Sequence, residues 1–296
     1  MMPAPERNTL TWTEKYLIYA QDKTENLSLL DCVFLAEYVV PDDEMMGASK
    51  VVLRNASNET IATYDDNDLF GLTNGYRYIR KSRSYNKPAD LERDVPPDTQ
   101  FSWIIERGAK TIALSPICIG GPERATAIPS PAPLKLSQGG RPVAPDAIDP
   151  GEDLAVEFPA MGAGVAWPGS DWRDLNLLLL DDQFGRVLYT GGAPGAESGF
   201  LDGEATGAII PAGTLHGGGE FVLFISQVRF VDSNESHGVR QVAANSYAIE
   251  LPILTIGEAP AAEPGLIPRR SDHRFSRKVQ ATDRLQPWPS FAERIA

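Results

Sequence analysis

The chain has 296 residues, 26 of them Gly and 24 Pro, and a formal net charge of −13. That much Gly and Pro excludes a mainly helical protein, while an apolar content of 42% excludes a disordered one. The charge argues against nucleic acid or an anionic membrane surface as partner, and the length suits two domains with a core each.

The charge is unevenly spread. From Gly265 to Ala296, seven basic residues (Arg269, Arg270, Arg274, Arg277, Lys278, Arg284, Arg294) face three acids, a net of +4 that leaves −17 for the rest of a chain totalling −13. No run approaches the roughly 20 apolar residues of a membrane span, and Met1 to Trp12 lacks the apolar region of a secretory signal. The expectation is a cytoplasmic chain or part of an assembled particle. Cys32 and Cys118 both sit in apolar, strand-like segments. Buried free thiols are expected there. The alternative is one disulfide between the first and last strands of that half, which would imply an oxidising compartment.

In chain order, residues 9–20 (TLTWTEKYLIYA) alternate as a first strand and residues 27–40 continue as a second, with Cys32, Phe34, Ala36 and Tyr38 on one face. Val51 to Leu53 and Ile61 to Tyr64 make a hairpin around a polar turn from Asn55 to Glu59. Tyr76 to Ile79 is a strand, followed by a polar loop from Lys81 to Asp94, and strands follow at residues 101–105, 111–114 and 117–119. Residues 120–133 (GGPERATAIPSPAP) read as a stiff Pro-rich connector. Beyond it, strands are predicted at 154–158, 175–180, 186–189, 208–210, 221–230 and 247–254, with a glycine-rich loop from Gly191 to Gly207. No segment sustains a 3.6-residue period, although Pro289 to Ile295 can form a terminal turn.

Two patterns recur about 120 residues apart. Val95 precedes Phe101 by the six residues that separate Leu215 from Phe221, with turn residues between, and Val51 to Tyr64 aligns without gaps to Leu177 to Thr190. Two hairpin-plus-corner units in one order predict a tandem of similar domains. The fold expected is all-β: an N-terminal antiparallel β-sandwich over residues 1–120, the linker 121–133, a second sandwich over 134–257, and a basic, aromatic-containing tail over 258–296.

The second half resembles the fibronectin type III and immunoglobulin-like sandwich superfamily. LHGGGEF (Leu215 to Phe221) is similar to its Leu-x-Pro-Gly-x-x-Tyr corner and LAVEF (Leu154 to Phe158) to its early core strand. Gly217 stands where Pro is usual, Phe221 replaces the corner Tyr, and Phe158 stands where Trp is common. Without the phenol the usual corner hydrogen bond is lost. The resemblance implies a sandwich and carries over no catalytic residue.

The main compositional anomaly is Asn74 to Lys87, with Tyr76, Tyr78 and Tyr85 among Arg77, Arg80, Lys81, Arg83 and Lys87 and no acid. Such a stretch stacks on rings, pairs with anionic groups or meets an acidic patch on a neighbouring subunit; otherwise it is a solvated basic face. Trp167 and Trp172, five apart, offer either a stacking platform for a glycan or partner, or a lid in which one indole folds onto the core. In the tail, Phe275, Trp288 and Phe291 lie among the basic residues as anchors for docking on the chain itself or the next copy, unless the tail is disordered. Carboxylates at Asp65, Asp66, Asp68, Asp181 and Asp182 lack an EF-hand spacing, so a calcium site is a minor alternative to acidic turns and any metal is left unknown. His216, His237 and His273 fall in no catalytic or metal spacing, no GxSxG elbow or phosphate loop is present, and no catalytic residue or cofactor is assigned.

The function expected is a non-enzymatic structural or binding module for protein–protein assembly, as in an appendage, virion or surface component, with a homo-oligomer or larger assembly as partner. The alternative is a carbohydrate-binding module, or a glycan-active hydrolase with its site between the domains.

Overall fold

The computed structural model describes residues 9–41, 50–65, 70–71, 76–120, 130–162, 164–168, 173–182, 186–192 and 200–259. The first half holds β1 (Thr9–Gln21), β2 (Leu27–Pro41), β3 (Lys50–Asn55), β4 (Thr60–Tyr64), β5 (Phe70–Gly71), β6 (Tyr76–Tyr85), the helix α1 (Pro88–Asp94), β7 (Gln100–Arg107), β8 (Lys110–Ala113) and β9 (Ile117–Cys118). The second holds β10 (Lys135–Gln138), β11 (Arg141–Pro142), β12 (Leu154–Glu157), β13 (Leu175–Asp182), β14 (Val187–Gly191), β15 (Gly207–Ile210), β16 (Glu220–Ser236) and β17 (Val239–Leu254). The protein is all-β, a sandwich of several antiparallel sheets.

An eight-stranded sheet in the order β14-β13-β16-β17-β1-β2-β6-β5 runs through both halves. Its seam is β1 lying parallel to β17, in register from Thr9 opposite Val239 to Ala20 opposite Glu250. Two smaller sheets, β4-β3-β7-β8 with β9 on β7, and β11-β10-β12-β15, complete the layers. The neighbour order is the same on either side of the connector: β4-β3-β7 matches β14-β13-β16, and β1-β2-β6 matches β10-β12-β15. The two ungapped sequence correspondences fall on the hairpins β3–β4 and β13–β14 and on the corners before β7 and β16.

Alternation decides which side chains meet. The even positions of β2 (Cys32, Phe34, Ala36, Tyr38, Val40) face Val51, Leu53, Phe101 and Trp103 of the small sheet, while Leu178, Leu223, Ile225 and Ile249 face Leu136, Leu154 and Val156 of the other. All belong to one continuous core. Strands at the middle of the large sheet are buried on both faces, which is why β13 reads LNLLLLDD and β17 is apolar or small almost throughout. Lys15 also points to this core; buried to 1% exposure, its ammonium spans to Glu92 of α1 at 3.0 Å.

The side chain of Gln21 holds Leu134, the residue that follows the connector. Gln21 donates to the Leu134 carbonyl at 2.8 Å and accepts from its amide at 2.7 Å, so an amide side chain stands in for a strand neighbour between the halves.

Four features go beyond the sequence expectation. Residues 88–94 form a helix where a polar loop was expected: Pro88 lies in the first turn, Arg93 in the last, and Leu91 is the buried anchor. β6 continues past Ile79 to Tyr85, and β16 runs past Phe230 to Ser236, closed by a two-residue turn with His237 and Gly238 at φ 53 and 74. The corner lacking its Tyr is closed from the residue after β17: Thr255 Oγ1 donates to the His216 carbonyl at 2.6 Å and accepts from the Gly219 amide at 2.8 Å. Leu215 and Phe221 are both buried there, as are Val95 and Phe101 at the other corner. Cys32 and Cys118 are both free thiols.

Candidate protein-binding surface

β6 is placed by β2, which it pairs from Cys32 opposite Tyr85 to Pro41 opposite Tyr76. On its other side β5 reaches only Tyr78 and Arg77. Among the described residues, the backbone of Ile79 to Tyr85 therefore has no strand on its outer side. Lys81, Ser82, Arg83 and Ser84 are exposed along this edge.

The side chains divide by face. Arg80 turns to the outer face of the large sheet and pairs with Glu37 of β2; their side chains are 8% and 0% exposed, so this cation is spent inside the protein. Arg83 stays 68% exposed, with a guanidinium nitrogen 3.0 Å from Asp94 and its charge 5.0 Å from the ring centre of Tyr85. Tyr85 is half-buried, and burial raises its pKa. Lys81 Nζ lies 6.0 Å from the ring centre of Tyr64. Asp94 also takes Arg93, which bonds Asp90 at 2.7 Å, so α1 supplies the acids that orient Arg83 without covering it.

Of the residues singled out in sequence, β6 thus brings Arg83 and Tyr85 together and pairs Arg80 with Glu37 on the outer face of the large sheet. Tyr76, Arg77 and Tyr78 lie on the same strand, and their side chains are outside the described residues. Trp172, Phe275, Trp288 and Phe291 also lie outside the described residues.

Trp167 is no exposed platform. It is 5% exposed and closes a cluster with Trp12 and Phe230, ring centres 6.4 and 5.7 Å away. Of the two arrangements open to the indoles, Trp167 adopts the lid. The segment carrying it is pinned by Asp174, whose carboxylate accepts from the Gly164 amide at 2.8 Å and the Phe230 amide at 3.0 Å. Burial raises the Asp174 pKa to about 7, with these hydrogen bonds and Arg229 opposing.

A cleft of about 480 Å³ opens where the halves meet, between Gln21, Asp22 and Lys23 at the end of β1 and Leu136, Pro142 and Glu157. Sequence reading missed it because its walls are more than 100 residues apart and share no motif. Among the described residues, no group of three His, Cys, Asp or Glu could hold a metal ion. Asp182 is instead taken up by Arg186, at 2.6 Å from its Nε. His216 packs on Phe221 at 5.0 Å between ring centres. No described helix is long and apolar enough to cross a membrane.

No family model matches the chain. No curated protein matches it. Among solved structures it is similar to the yeast delta-COP-I mu-homology domain complexed with a Dsl1 WxWxV peptide, with 8% identity over 84% of this chain and 98% of that one and a TM-score of 0.21. The same yeast domain in another structure gives 10% identity, the same coverage and 0.22. The BSP domain of a biofilm associated protein gives 9% identity over 88% of this chain and 68% of that one, at 0.16. At such TM-scores these likenesses carry no argument.

Proposed function

We propose that this chain is a protein-binding module that assembles by accepting an extended, acidic strand of another copy along the outer edge of β6. Its framework is read as two fibronectin type III-like or immunoglobulin-like sandwiches in tandem, joined at the β1–β17 seam. In support, each half sets a three-strand group (β1-β2-β6, β10-β12-β15) against a group containing the hairpin and the corner strand (β4-β3-β7-β8, β14-β13-β16-β17).

One observation carries the functional reading. The edge from Ile79 to Tyr85 offers backbone donors and acceptors with no described strand beside them, and its exposed side chains are basic or hydroxylic. Backbone pairing supplies affinity when a strand is added, and side chains beside it supply selectivity. Lys81 and Arg83 favour a partner strand rich in carboxylates and disfavour neutral apolar ones. The chain totals −13, so another copy is itself a source of acidic segments.

The test is sedimentation of the wild type and the Lys81→Glu/Arg83→Glu variant at low and high salt. The reading expects concentration-dependent oligomers that weaken with salt over the roughly 8–10 Å screening lengths of physiological buffers. It expects the variant to be monomeric with an unchanged circular dichroism spectrum. A wild type that stays monomeric at all concentrations, or a variant that assembles like the wild type, overturns it.

A further inference from the structure

The β6 edge is a poor partner for itself. Two copies meeting there would bring Lys81 and Arg83 of one edge against the same pair on the other, and like charges opposite each other on paired strands repel. The stretch from Asn74 to Lys87 has five basic residues and no acid to relieve them. The strand it accepts therefore comes from a different surface of the second copy, which makes the interface heterologous.

Acid is concentrated in the other half. Between Leu175 and Ile210, Asp181, Asp182, Glu197, Asp202 and Glu204 stand against Arg186 alone, a net of −4, and Arg186 is itself held by Asp182 at 2.6 Å. This stretch contains β14, the opposite end of the large sheet. β14 pairs with β13, and no described strand lies along its outer side. Carboxylates stand at both of its ends. Asp181 of β13 is opposite Val187, and the turn with exposed Asp202 and Glu204 is held past Gly191, where the Leu201 amide donates to the Gly192 carbonyl at 3.2 Å.

Strand direction fits as well. Of the six pairings that lead across the sheet from β14 to β6, five are antiparallel and one, β17 with β1, is parallel. β14 and β6 thus run in opposite directions. A copy placed by continuing the sheet in the same sense sets its β14 antiparallel to β6, the commoner kind of pairing. The five residues of β14 fit within the open edge from Ile79 to Tyr85.

We infer that the strand accepted at the β6 edge is β14 of the next copy, so that the large sheet runs on from molecule to molecule, head to tail. This rests on the β6 reading and adds the partner surface to it. A pair joined in this way still has one free β14 end and one free β6 end, so growth does not stop at two. Strand twist accumulates about the growth axis and makes the product a helical filament.

The test is sedimentation of two variants of the full chain, singly and mixed. Thr190→Lys/Glu204→Lys puts positive charge on two exposed positions at the β14 end. It should be monomeric at concentrations where the wild type forms species larger than a dimer, as Lys81→Glu/Arg83→Glu should be. Mixed in equal amounts the two should associate, because one keeps an intact β6 edge and the other an intact β14. A β14 variant that assembles like the wild type while the β6 variant stays monomeric overturns this inference and leaves the β6 reading standing, whereas a β6 variant that assembles overturns both. A mixture that stays monomeric, or a wild type that stops at a dimer, also overturns the inference. A second measurement needs no substitution: as the wild type assembles, amide exchange should slow at residues 187–191 as well as at 79–85. Unchanged exchange at 187–191 overturns the inference even where the β14 variant fails to fold.

Discussion

Arg80 and Glu37 meet across β6 and β2, almost wholly out of water. Replacing Arg80 by Ala removes the cation from a buried ion pair and should cost up to about 3–5 kcal/mol by chemical denaturation. Arg80→Met combined with Glu37→Leu removes both charges and should recover most of that loss. Asp174 titrates instead of pairing. Its folded pKa of about 7 lies above the ordinary carboxylate range, so the fold prefers it protonated. Its contribution to stability is therefore greatest at low pH, falls as pH rises from about 4 to about 7, and is flat above that. Glu250, also raised to about 7 by burial and by Asp181, adds a fall of the same sign. In Asp174→Asn the melting temperature should depend less on pH over that interval, whereas an unchanged profile would place the titration elsewhere. The sequence displayed Glu37 as a lone acid within FLAEYVV, but a partner 43 residues away is fixed only by strand register.

At the scale of elements, what could be read in advance was what buries one face or two. The hairpins β3–β4 and β13–β14 and both corners follow directly from period-two alternation with turn residues between. β6 beyond Ile79 did not, because RKSRSY is an edge whose side chains are mostly in water, and such a strand has no apolar period to display. The seven-residue α1 is too short for a helical period and is held by Leu91 and the reach of Lys15 to Glu92. The segment bearing Trp167 depends on a glycine. A Cβ on Gly164 would lie 2.2 Å from Asp174 Oδ1 and 2.5 Å from the Phe230 carbonyl. Gly164→Ala should therefore destabilise by about 1–3 kcal/mol and expose Trp167, read as a red shift in tryptophan emission. A silent substitution would mean that the segment is not seated as described.

For the whole molecule, the organising fact is that the first strand and the last lie side by side. Sequence recurrence led to the expectation of two similar units, but a large sheet that runs through both halves of the chain was not legible. It depends on pairing between residues 9–20 and 239–250, and both strands would read the same in separate sheets. This pairing leaves β14 and β5–β6 as the ends of the large sheet, and the basic end is the one assigned here to accept a partner strand. The most direct measurement is amide hydrogen exchange at increasing protein concentration in low salt. The account predicts that protection rises with concentration at residues 79–85 and that high salt reverses it. Protection at 79–85 that stays constant while the protein assembles through other residues would contradict it.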